Sequence, residues 1–219
     1  MSLILGNMAT TRTVIVLAAG SGSRFTAGSH KLAAPFGEQS VLATTLRHAI
    51  ASNLHVVVVT TEPFAELARS SVAARDVVLV PEVGSKGQPG LGMGHSISAG
   101  VSARPHAGGW LILPGDMPLV QPSTLQAVAR LLDQHSVVYA QHRGKRGHPV
   151  GFAAELYSEL VALTGDEGAR RLVARYPAFG VEIDDPGILI DIDTSDDLSS
   201  ARRAVPAAPA LRSTDGVRP

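Results

Sequence analysis

The stretch Leu17-Ala18-Ala19-Gly20-Ser21-Gly22-Ser23-Arg24-Phe25, followed by Gly28 and Lys31, has the composition of a phosphate-binding loop. Gly20 and Gly22 would let backbone N–H groups approach phosphate oxygens, and Arg24 and Lys31 carry charge that could neutralise a triphosphate. A solvent-facing Gly-rich loop with two hydrated cations would read the same way. The segment is not a Walker A loop, because Lys31 follows His30 and precedes Leu32 rather than Ser or Thr. It is also an incomplete dinucleotide fingerprint. Phe25 stands where the third glycine belongs, and no strand-end acid follows ~20 residues on.

Two acidic segments could supply metal ligands. Leu113-Pro-Gly-Asp-Met-Pro118 places Asp116 just past an apolar run, in a tight turn framed by Gly115 and Pro118. A carboxylate there suits Mg²⁺, which takes one or two protein carboxylates plus phosphate oxygens and water, although a strand-end Asp is also a common turn former. In Asp191-Ile-Asp193-Thr-Ser-Asp-Asp197, the two-residue period of an extended chain puts Asp191 and Asp193 on one side, where both could face one cation. Thr194 and Asp197 instead have capping-box spacing, so Asp196 and Asp197 are assigned to a helix start. His148, in Gly147-His-Pro-Val150, could face an acceptor or be structural. Arg170, in Gly165-Asp166-Glu-Gly-Ala-Arg170, could bind an acceptor phosphate or be an ordinary solvated helix residue.

Elements that would position these groups follow from short apolar runs: Val14–Leu17, Val56–Val59, Val77–Val80, Leu111–Leu113, Val137–Tyr139 and Ile188–Ile190. Lacking alternation, they read as strands buried on both faces. Helical spacing of Leu42, Leu46, Ala49 and Ile50, and of Leu125, Val128, Leu131 and Leu132, lies between them. Strand and helix in alternation predict an α/β fold with a mostly parallel sheet, whose ligands bind past the carboxyl ends of the strands. Gly-rich stretches from Ala18 to Lys31, Pro81 to Gly94 and His142 to Gly147 are therefore the candidate functional loops. Residues 13–204 are expected to form one domain, with a flexible start over 1–12 and a disordered Pro/Ala-rich tail over 205–219.

The 219-residue chain balances 19 basic against 19 acidic residues, which gives no global field for nucleic acid or an anionic membrane. It has no cysteine, so disulfides and thiolate metal sites are excluded. No run approaches the ~20 apolar residues of a membrane span, and a cytoplasmic location is the expectation.

Taken in order, Leu17-Ala-Ala-Gly20 through Lys31, Gly115-Asp-Met-Pro118, Gly147-His-Pro-Val150 and Asp191-Ile-Asp-Thr194-x-Asp-Asp-Leu198 resemble the MobA-like nucleotidyltransferases. Within them, Leu-Ala-Ala-Gly is closer to the molybdenum cofactor cytidylyltransferases than to the guanylyl members, which have Leu-Ala-Gly-Gly. The resemblance implies a Rossmann-like three-layer fold. The loop Leu17 to Arg24 would line the nucleotide with Thr60, Gly94 and Ser96, and Lys31 would bind phosphate. Asp116, Asp191 and Asp193 would hold Mg²⁺, and His148, Asp166 and Arg170 would face the acceptor. The activity implied is transfer of CMP from CTP, or of another nucleotide from its NTP, to a molybdopterin-type acceptor, with Arg24, Lys31 and Asp116 catalytic and a molybdoenzyme receiving the product. A guanylyltransferase, a sugar-phosphate nucleotidyltransferase, an NAD-dependent oxidoreductase and a non-catalytic cofactor carrier are the alternatives. Residues inserted between Phe25 and Lys31, and His95-Ser96 where relatives have Gly-Ser, depart from the pattern.

Overall fold

The computed structural model describes residues 11–22, 25, 30–82 and 92–204. Its strands are β1 (Thr13–Ala18), β2 (Pro35–Phe36), β3 (Gln39–Ser40), β4 (His55–Thr60), β5 (Val77–Leu79), β6 (Gly109–Pro114), β7 (Val137–His142), β8 (Lys145–Ala153) and β9 (Ala178–Glu182). The α-helices are α1 (Val41–Ala51), α2 (Ala65–Ser71), α3 (Met93–Ser102), α4 (Pro122–Leu131), α5 (Tyr157–Val161), α6 (Arg170–Arg175) and α7 (Ser195–Ala204). Among the described residues, seven strands form one sheet in the order β5-β4-β1-β6-β8-β7-β9, while β2 and β3 pair separately. β8 runs antiparallel to both β6 and β7, and every other pair in the large sheet is parallel.

The β-branched runs form strands because both sides of the sheet are covered. Val14, Val16, Leu111 and Leu113 pack with Leu42 and Leu46 of α1 and with Leu125 and Val128 of α4. The alternate residues Ile15, Val57, Val59, Trp110 and Ile112 pack on the opposite face with Ile97 and Val101 of α3 and Leu160 of α5. Each fully buried Val, Leu or Ile contributes roughly 1.5–3 kcal/mol of transfer free energy, so these two cores hold the three-layer α/β fold. Among the described residues, no helix is long and apolar enough to cross a membrane.

Two expectations are corrected. Ile188–Ile190 is not a strand: Pro186–Leu189 is a 3₁₀ turn, capped by the Asp185 carboxylate, which accepts from Gly187 N at 3.0 Å. Pro186 fixes φ at the start of that turn and cannot donate to a ladder. His142–Gly147 is not a long loop either. His142 pairs with Lys145 across a two-residue hairpin turn, with Arg143 and Gly144 both at positive φ, as a type I′ turn demands.

Candidate functional site

Past the carboxyl ends of β1 and β6 lies a cavity of about 960 Å³. Leu17 to Gly22 form one wall, Met93, Ser96 and Ile97 of α3 a second, and Arg146, His148, Val150 and Phe152 of β8 a third. Lys31, Asp116, Asp191, Asp193 and Arg170 complete its charged lining.

At the centre of the charged lining is the Lys31 ammonium, which donates to Asp116 Oδ2 and to Asp193 Oδ1, both at 2.6 Å. Burial disfavours charge on Lys31, but the neighbouring Asp116 charge and the hydrogen bonds to Asp116 and Asp193 outweigh it and raise its pKa above the ordinary lysine value. Backbone bonds bring these groups together. Gly115 N donates to Leu17 O at 2.8 Å, and Ile192 N donates to Asp116 O at 3.0 Å. Gly115 is also tightly packed: a Cβ there would stand 3.0 Å from Leu17 O, which would have to give way. Thr45 of α1 pins the same turn by donating to Gly115 O at 3.0 Å.

Asp116 Oδ1 is buried and has no hydrogen-bond partner. An orphaned buried carboxylate oxygen is costly, and a hard cation would satisfy it. Among the described residues, no three His, Asp or Glu side chains already form a ligand cage. Mg²⁺ does not need one, since phosphate oxygens and water fill most of its positions. The all-oxygen donor set of Asp116, Asp191 and Asp193 fits such an ion.

The glycine loop is braced by a residue that motif reading passes over. His30 Nδ1 accepts from Leu32 N at 3.2 Å, which leaves the proton on Nε2, and Nε2 donates to Gly20 O at 2.9 Å. Gly22 has φ +60°, and a Cβ there would stand 3.0 Å from the His30 ring. His30 is in turn tilted against Phe64, with ring centroids 4.7 Å apart. Only the imidazole with its accepting Nδ1 marks this residue, and no short motif encodes that contact.

Other expected site residues fall unevenly around the cavity. His148 lines it beside Asp116 and Asp191. Burial lowers the His148 pKa, the two acids oppose that shift, and Arg170 adds to it. Ser96 also lines the cavity, with a buried hydroxyl that has no partner. Arg170 begins α6 and reaches the lining, but Asp166 does not, and Glu167 lines it instead. Thr60 is fully buried away from the cavity, its hydroxyl donating to Ala18 O at 3.3 Å. Gly94 is outside the lining as well. Its N–H donates to Gly165 O at 2.9 Å, and a Cβ would stand 2.6 Å from Thr164 O, so it seats α3 on the 164–165 backbone. Ser23 and Arg24 lie outside the described residues. The Thr194–Asp197 box is present: Asp197 accepts from Thr194 N at 2.8 Å and Thr194 Oγ1 accepts from Asp197 N at 3.2 Å, which frees neither for a metal.

A glycine loop after β1 beside a strand-end carboxylate, both lining one cavity, is the arrangement of α/β proteins that handle nucleotide phosphates. The chain belongs to the MobA-like NTP transferase domain family, whose model matches residues 14–179. It is 32% identical over 204 residues to the purine catabolism protein PucB of Bacillus subtilis (strain 168), covering 87% of this chain and 96% of PucB. Similarity to the bifunctional protein GlmU of Alkalilimnicola ehrlichii is partial: 35% identity over 116 residues, 53% of this chain and 24% of GlmU. Among solved structures, Rv0371c of Mycobacterium tuberculosis H37Rv superposes with a TM-score of 0.76 at 27% identity, covering 90% of this chain and 99% of that one. The same protein in complex with manganese gives 0.71 at 26% identity, covering 90% and 100%.

Proposed function

We propose that this chain transfers CMP from CTP to the terminal phosphate of a molybdopterin-type acceptor and releases pyrophosphate. The observation that carries the reading is the paired contact of Lys31 with Asp116 and Asp193 beside the glycine loop, which gathers phosphate-binding and metal-binding chemistry in one cavity. An acceptor phosphate oxygen attacks the α-phosphorus, the bond from that phosphorus to the bridging oxygen of the β-phosphate breaks, and pyrophosphate departs. Such a transfer needs positioning and charge neutralisation more than proton transfer.

The residues divide that work. Backbone amides of Gly20 to Gly22 hold the phosphates, with Arg24 assigned alongside them from the family resemblance. Lys31 exchanges its carboxylate partners for phosphate oxygens and stabilises the departing pyrophosphate. Asp116, with Asp191 and Asp193, would hold Mg²⁺, which supplies positive charge at the α-phosphate when bound. His148, kept neutral by burial, would face the acceptor without adding charge repulsion against Arg170. Ala19, in Leu-Ala-Ala-Gly, supports cytosine over guanine. The likeness to PucB along nearly its whole length favours a recipient enzyme that works in purine catabolism.

Pyrophosphate release, measured with Mg²⁺, molybdenum cofactor and each of CTP, GTP, ATP and UTP in turn, tests this reading. Release with CTP is expected. A preference for GTP would move the chain to guanylyl transfer, and no release with any nucleotide, using an acceptor proven with a control enzyme, would overturn the proposed acceptor.

A further inference from the structure

The cavity carries one guanidinium that none of the sequence motifs singles out. Arg146 of β8 lines the cavity next to Gly147 and His148, and its Cζ lies 3.9 Å from the centroid of the Tyr139 ring. The Tyr139 ring lies over Gly180, its register partner on β9. A Cβ on Gly180 would stand 2.8 Å from the ring and 2.7 Å from Gln141 Oε1, so a side chain there would have to shift one or both. Arg146 has no carboxylate partner among the described residues. Glu182, the acid at the end of β9, is engaged elsewhere: it accepts from Gln141 Nε2 at 3.0 Å, from Gly144 N at 3.4 Å and from Arg143 N. A guanidinium stacked on an aromatic face keeps its N–H edges outward and loses little side-chain entropy on binding an anion. Along the same strand, Val150 and Phe152 turn the lining apolar behind it.

We infer that Arg146, oriented by the Tyr139 ring, is the anion-binding residue of the acceptor side of the cavity, where it takes the phosphate of a phosphorylated acceptor. The inference rests on the transferase reading above for the name of the acceptor, but not for the anion site itself. Tyr139 does not line the cavity and is a positioning residue, with Gly180 beneath it. Arg146 stands on β8, which β6 separates from β1 and its loop Leu17–Gly22, and on that ground it is assigned to the acceptor and not to the triphosphate.

The test is titration of inorganic phosphate into the full chain by ³¹P NMR, with the nucleotide side filled by Mg²⁺ and a non-hydrolysable CTP analogue. It compares the wild-type chain with Arg146→Gln, Tyr139→Leu and Tyr139→Phe. A lost hydrogen bond to a charged group corresponds to about tenfold or more in affinity. The phosphate Kd should therefore rise by about that factor in Arg146→Gln and by a smaller factor in Tyr139→Leu. Tyr139→Phe, which keeps the ring face, should match wild type, and the analogue's own Kd should stay unchanged throughout. Equal phosphate affinity in wild type and Arg146→Gln, or weakened analogue binding in Arg146→Gln, would overturn the inference. Parallel turnover with molybdenum cofactor separates the two ideas: an inactive wild type that still loses phosphate affinity in Arg146→Gln would reject the proposed acceptor and keep the anion site.

Discussion

Lys31 Nζ stands 2.6 Å from Asp116 Oδ2, although 85 positions separate the two residues in the chain. The β1–β6 pairing and the Gly115–Leu17 backbone bond close that distance, so the parallel sheet itself assembles the charged centre of the cavity. With Asp193 on the same ammonium, Lys31 bridges the two carboxylates that the proposed function assigns to a divalent cation.

Replacing Lys31 with Met should remove the ammonium that Asp116 and Asp193 share. Breaking such a pair is expected to cost roughly 3 kcal/mol of stability and, through the lost phosphate contact, about 10²-fold or more in turnover. Because Mg²⁺ or Mn²⁺ could then take the place of the ammonium between the two carboxylates, either ion should raise the melting temperature of the variant more than that of wild type. Equal metal-induced shifts, followed by differential scanning fluorimetry, would argue against a shared cation position.

Asp116→Asn keeps the size of the side chain and removes its charge. Turnover should fall by about 10²-fold or more, while metal-free nucleotide binding, read by isothermal titration calorimetry, should stay within a few fold of wild type. Retention of most activity would refute the assignment of Asp116 to the metal.

His30→Ala removes both the cap on Leu32 N and the support of Gly20 O. The glycine loop should lose its fixed path, with the apparent KM for nucleotide rising several-fold while the KM for acceptor holds. A rise confined to the acceptor would place the brace on the wrong side of the cavity.

Asp76 provides a control remote from the cavity. Its carboxylate is buried, accepts from His55 Nε2 at 2.9 Å and from the Arg104 guanidinium, and ties β4 to the segment after α3. Burial alone would raise its pKa, but the hydrogen bonds from Arg104 and His55 reverse this and hold it below the ordinary value of 3.8. With the folded pKa below the unfolded one, the unfolded chain binds more protons in between. The stabilisation is complete above the unfolded pKa and is lost as pH falls through the folded one. Asp76→Asn should cost roughly 3 kcal/mol at pH 7 and lose that part of the acid dependence, leaving turnover of the folded fraction unchanged. Urea unfolding at pH 7 and at pH 3 checks both parts, and parallel pH profiles for the two chains would contradict them.

Runs such as Val14–Leu17 and Val56–Val59 announced their strands because burial on both faces demands continuous apolar residues. β8 gave no such signal: Lys-Arg-Gly-His-Pro-Val-Gly-Phe-Ala holds two glycines, a proline and two cations, and pairs through its neighbours β6 and β7. β9 is a half-exposed edge, and its Gly180 makes sense only once the Tyr139 ring is seen above it. In the cavity, Lys31, Asp116, Asp191 and Asp193 were legible because charge next to glycine or at a strand end is a local pattern. Arg146 and His30 were not, since one acts by stacking on a distant ring and the other through its tautomer. Thr60 shows another contact that no local pattern announces: its strand-end hydroxyl donates within the sheet to Ala18 O.

The most direct measurement is transfer of label from α-³²P-CTP into molybdenum cofactor, comparing wild type with Asp116→Asn. Mg²⁺-dependent appearance of labelled dinucleotide cofactor with wild type, and its loss in the variant, is the expected result. Labelled CMP released to water without any labelled cofactor, or equal transfer by both chains, would contradict nucleotidyl transfer at this site.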